Sequence, residues 1–109
     1  MNYLRNLLPL LTVILTTGVF GQQAYISDHL VKKWETPASL STPESVLFDA
    51  GNEVIYVANI GGQPAAKDGN GFISRLSTSG KIIDLKWITG LDAPKGMGIF
   101  NGKLFVTNI

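Results

Sequence analysis

Cysteine is absent from the 109 residues. That excludes disulfide staples, a thiolate zinc site and a lipidated cysteine at a leader cleavage point. Histidine occurs once, at His29 beside Asp28, with no Ser or Cys nucleophile pattern near it, so ordinary surface placement is expected of it. Charge is sparse and balanced: 9 Lys+Arg against 8 Asp+Glu give a net +1. The signs alternate along the chain and leave no basic face, so nucleic acid is excluded as a partner. No stretch sustains a 3.6-residue apolar period. Gly61-Gly62 lacks the spacing of a phosphate-cradling loop, which leaves nucleotide chemistry without support.

What is present begins with an export signal. Arg5 precedes an apolar run from Leu7 to Phe20, 14 residues long, which ends at Val19-Phe20-Gly21. Modest residues ahead of a cut at Gly21/Gln22 suit the signal peptidase. The alternative, a membrane anchor, needs about 20 apolar residues. Residues 1–21 are therefore read as a signal peptide, placing the mature protein in the periplasm or outside the cell with no membrane span after cleavage.

Residues 22–41 form a weakly patterned lead-in with Lys32-Lys33, Trp34 and Thr36-Pro37. Beyond it, short apolar runs alternate with turn residues at the spacing of about 8 to 12 expected of an all-β chain. Ser45 to Asp49 ends at Gly51-Asn52, and Val54 to Ala58 is apolar throughout, the mark of a strand buried on both faces. Phe72 to Ser77 follows a polar loop, 61–71, and closes at Thr78-Ser79-Gly80. Ile82 to Ile88 sets Ile83, Leu85 and Trp87 against Asp84 and Lys86, an outer strand with one wet face. Trp34 and Trp87 are read as core fillers.

The pattern then restarts. Pro43-Glu44-Ser45-Val46-Leu47-Phe48 aligns with Pro94-Lys95-Gly96-Met97-Gly98-Ile99, and Val54 to Ile60 with Lys103 to Ile109. The offset is 51 at Pro43/Pro94 and 49 at Asn59/Asn108. A tight hairpin at Asn101-Gly102, with positive φ at both residues, accounts for the two lost positions. Four-strand units recurring at about 40 to 50 residues define propeller blades. The expected architecture is an all-β partial β-propeller over 42–109, with a first four-stranded antiparallel blade over 42–91 and the first two strands of a second over 92–109. Two unrelated hairpins of a sandwich are the alternative. Propellers close with about 4 to 8 blades, so the chain is expected to be a fragment, prone to aggregation alone.

At Glu44-Ser45-Val46-Leu47-Phe48, and at the strand ending Val57-Ala58-Asn59-Ile60, the chain resembles the family of senescence marker protein (regucalcin), gluconolactonase and luciferin-regenerating enzyme. Pro94-Lys95-Gly96-Met97 followed by Gly102-Lys103-Leu104-Phe105-Val106 is similar to that family's recurrent blade opening. The likeness covers Thr42 to Ile109. It implies a six-bladed propeller with Glu44 as one ligand of a divalent cation, commonly calcium, in a lactone or ester hydrolase acting on a lactone or sugar-derived substrate. The other ligands and the general base would come from later blades. Val46, Phe48 and Asn59 depart from the family's usual Pro, Trp and Asp. Lys95 stands where some blades carry a ligand, so it would repel a metal or hold an anionic substrate.

Each residue has a plainer reading beside this one. Glu44 could be a solvated carboxylate at a strand start. Asn59 and Asn108 could be turn formers satisfying backbone groups, with substrate contact the lesser reading for Asn59. Asp68-Gly69-Asn70-Gly71 opens like a calcium loop but lacks the later ligands, and reads as a hairpin loop. For the whole protein the alternative is a non-catalytic propeller of the NHL-repeat type that binds a carbohydrate, peptide or protein.

Overall fold

The apolar segment Val54–Asn59 becomes the second strand of an antiparallel sheet, and its place between two neighbours explains its composition. The computed structural model describes residues 29–109; the expected leader, its cut at Gly21/Gln22 and the first part of the lead-in lie outside the described residues. The chain divides into two units, Met1–Val31 and Lys32–Ile109. Of the first, only His29, Leu30 and Val31 are described, all exposed.

The second unit is all-β among the described residues. Strands β1 (Pro43–Asp49), β2 (Val54–Asn59), β3 (Gly71–Ser77) and β4 (Ile82–Leu91) form one sheet in chain order. Every pairing is antiparallel. Strands β5 (Met97–Phe100) and β6 (Lys103–Val106) form a separate two-stranded sheet. On β2, Tyr56, Val57 and Ala58 are all buried, as continuous apolarity requires.

Turn chemistry sets the register. After β1, Asp49 Oδ1 accepts from Gly51 N at 3.0 Å and Asn52 N at 3.2 Å, and Oδ2 accepts from Asn52 Nδ2 at 2.8 Å. This side-chain turn spans Ala50 to Glu53. The β5–β6 hairpin instead closes through Asn101 and Gly102, with φ of 49° and 68°. Both lie in the left-handed region, the type I′ requirement. The shorter turn removes two residues, so Phe48↔Ile55 in the first hairpin corresponds to Ile99↔Leu104 in the second.

The core lies between the two sheets. Tyr56, Ala58 and Ile73 share one face of the larger sheet, and Met97, Leu104 and Val106 of the second hairpin pack against them. Gly71 permits the close approach: a β-carbon there would drive into Pro94 and stand 2.9 Å from Asp92 O.

Two expectations need correction. The alternation read for the fourth strand does not survive, because β4 advances from Asp84 to Ile88 while β3 steps only from Arg75 to Ile73. The bulge brings Trp87 round to the side of Asp84. There Arg75 Nε donates to Asp84 Oδ2 at 2.8 Å, the guanidinium lies 4.9 Å from the Trp87 ring, and that ring stacks on Tyr56 at 5.3 Å. The tryptophans are also not core residues: Trp34 is 41% and Trp87 38% exposed. Trp34 covers Gly80 in the β3–β4 turn, where the glycine has φ of 82° and no room for a side chain.

Candidate functional site

The residues singled out in the sequence gather at one end of the sheets, where β1 begins, β2 ends and the chain enters β5. Thr42 opens this end at φ of 48°. A β-branched residue in the left-handed region, directly before a proline, carries strain of about 1 to 3 kcal/mol. Backbone bonds hold it there: Ile60 N donates to Thr42 O at 3.0 Å and Gly61 N to Ser41 O at 3.1 Å.

Glu44 follows in a bulge. Pro43 pairs with Asn59 and Ser45 with Ala58, so Glu44 has no cross-strand partner. Its side chain is exposed. Among the described residues, none forms a hydrogen bond or ion pair with its carboxylate. Bulges at strand ends re-aim a side chain out of the ladder, and here the re-aimed group is the family-matched carboxylate.

Asn59 is fully buried. Its Oδ1 accepts from Ser41 N at 3.0 Å, and Nδ2 donates to Val57 O at 3.1 Å and Ser74 Oγ at 3.0 Å. Both amide donors are spent inside the fold, which leaves none for a substrate. Asn108 repeats the device, its Oδ1 accepting from Asp92 N at 3.0 Å and Ala93 N at 3.1 Å. Each asparagine ends one hairpin and ties down the chain that leads into it.

Lys95 is partly buried, and Nζ donates to Pro64 O at 2.9 Å. The ammonium thereby anchors the β2–β3 loop and retains two further N–H donors. Asp92 anchors the same loop, Oδ1 accepting from Gly69 N at 3.0 Å. Within the loop, Asn70 N donates to Asp68 Oδ1 at 3.0 Å, the side-chain turn of a hairpin connection. Ser45 Oγ donates to Lys95 O at 2.6 Å, joining β1 to the start of β5. Glu44 and Lys95 therefore occupy matching positions on adjacent strands.

Ser41, Thr42, Ser45 and Asp92 had not been singled out. Thr42-Pro43 carried the only readable signal, since a residue before proline is conformationally restricted. The roles of Ser45 and Asp92 depend on chain segments far apart in sequence.

Calcium takes about six to eight oxygens. Among the described residues, no three Asp, Glu, His or Cys side chains converge as a metal site. Glu44 offers one carboxylate, which does not complete such a site by itself. No family model, curated protein or solved structure matches the chain.

Proposed function

We propose that the protein works as an exported, gluconolactonase-like β-propeller: a divalent-cation-dependent hydrolase of a lactone or related ester. The observation that carries this reading is the exposed, bulged and unpartnered Glu44 at the head of β1. The repeated hairpins, stacked face to face with matching registers, support the propeller architecture over a sandwich of unrelated hairpins.

In this reading Glu44 is one oxygen ligand of the cation, calcium by resemblance, and further sheets of the ring complete the ligand set and supply the base. A hard cation so held polarises a lactone carbonyl. Asn59 acts through Ser41 and the strained Thr42, fixing the backbone from which Glu44 projects. The free N–H donors of Lys95 hold an anionic group of the substrate beside that carboxylate.

The test is thermal unfolding of the full chain with and without millimolar calcium, alongside Glu44→Gln. A calcium-induced rise in Tm that the variant loses supports the cation site, and no rise in the parent overturns it. The NHL-like binding reading draws on a different observation: the β2–β3 loop is tied at both Pro64 and Gly69, which suits a preformed surface for a carbohydrate, peptide or protein. It gains if calcium has no effect.

A further inference from the structure

The two stacked sheets leave one apolar face bare at each end of the stack. On the outer side of β1, Val46 is 66% and Phe48 55% exposed. Along the β5–β6 hairpin runs a groove of about 440 Å³ whose lining includes Gly96, Gly98, Phe105 and Thr107. Phe105 is 55% exposed, and a β-carbon on Gly98 would have nothing within 4 Å.

The repeat relates these faces to the interface already present. Cross-strand partners share a face, so Val46, Phe48, Ile55 and Val57 stand on one side of β1 and β2, and Ser45, Leu47, Tyr56 and Ala58 on the other. The aligned registers give Met97, Ile99, Leu104 and Val106 for the first set, and Gly96, Gly98, Phe105 and Thr107 for the second. Within the chain, Met97, Leu104 and Val106 pack on Tyr56 and Ala58. The first kind of face on the second hairpin thus covers the second kind on the larger sheet. What remains bare is the first kind on β1 and the second kind on β5–β6: the two halves of the same contact.

We infer that copies of this chain associate head to tail, with the Val46–Phe48 face of one copy seated in the Gly96–Gly98–Phe105 groove of the next, continuing the internal sheet-on-sheet interface. Gly98 opposite Phe105 leaves a notch beside an aromatic ring, into which Val46 and Phe48 bring apolar bulk. Such a contact is heterologous, joining different surfaces on the two partners, so it adds copies in sequence until a ring closes or a filament grows. The inference needs the repeat and the two bare faces, and does not depend on the hydrolase reading.

The test exploits the missing cysteines. Full-length chains carrying Val46→Cys or Gly98→Cys are treated with a short bis-maleimide, singly and mixed. Cross-linked dimer is expected in the mixture and not in either chain alone. In sedimentation velocity the parent chain should form dimers and larger species. Val46→Glu and Phe105→Glu should each be monomeric, and their equimolar mixture should stop at a dimer, because each variant keeps one working face. A monomeric parent, cross-linking within Val46→Cys alone, or Glu variants that still associate singly would overturn the proposal. Should a Glu variant lose its β-sheet circular dichroism, the cysteine pair decides. Glu44→Gln leaves association unchanged, so loss of the calcium effect and loss of association are separate outcomes.

Discussion

Replacing Asn59 with alanine removes one buried amide that makes three hydrogen bonds, to Ser41 N, Val57 O and Ser74 Oγ. A buried donor or acceptor left without a partner costs about 1 to 3 kcal/mol. Ser74 Oγ keeps its bond to Leu85 O, so the main debts are Ser41 N and Val57 O, together about 3 kcal/mol. For a domain of this size that lowers Tm by about 12 to 24 °C. Asn108→Ala is the internal control. The same motif position, bonded to Asp92 N and Ala93 N, is exposed there, and water replaces the lost acceptor, so the cost is about 0.5 to 1 kcal/mol. Urea unfolding followed by tryptophan fluorescence measures both. Equal losses, or a larger loss at Asn108, would refute the argument that burial rather than hydrogen-bond number sets the cost.

Thr42→Asn keeps the left-handed backbone but suits it better, and should raise stability by about 1 kcal/mol; a fall would show that Thr42 is not strained. Gly71→Ala should cost about 1 to 3 kcal/mol by forcing Pro94 and the second hairpin outward, whereas Gly98→Ala, with open space around it, should be near neutral, as paired melts can check. Arg75→Lys loses the planar stacking on Trp87 and the fork to Asp84, and the expected readout is altered Trp87 emission with a loss of about 1 kcal/mol. The side-chain bond from Asn52, with lesser backbone bonds from Asn52 and Gly51, holds the Asp49 carboxyl below its ordinary value. Because the folded value is depressed, that stabilisation is present above the ordinary value and lost as pH falls through the folded one, below about pH 4. Asp49→Asn should flatten this part of the acid limb, and an unchanged acid limb would count against the turn.

Strand positions were legible because the signals are local. Continuous apolarity over Val54 to Ala58 is the residue-level consequence of a strand covered on both faces. Asn101-Gly102 specifies a turn that only residues tolerant of positive φ can form, and the two-residue change in repeat offset follows from it. Glu44 was legible as a candidate from its neighbours in sequence. Its release from the ladder was not, since a bulge depends on the partner strand. Asn59 was misjudged as a contact for substrate for a similar reason: a sequence shows that an asparagine ends a strand, but not that Ser41 and Ser74 enclose it.

By itself, then, the sequence determined the strands, their turns and the repeat, all of which arise from alternation, backbone preference and side chains acting within a few residues. Tertiary structure alone decided the bulge in β4 that carries Trp87 to Arg75, the burial of Asn59, the anchoring of the β2–β3 loop by Lys95 and Asp92, and which apolar faces meet. Those outcomes depend on groups far apart in the chain competing for one volume and one set of hydrogen-bond partners, a competition settled only once the sheets have packed.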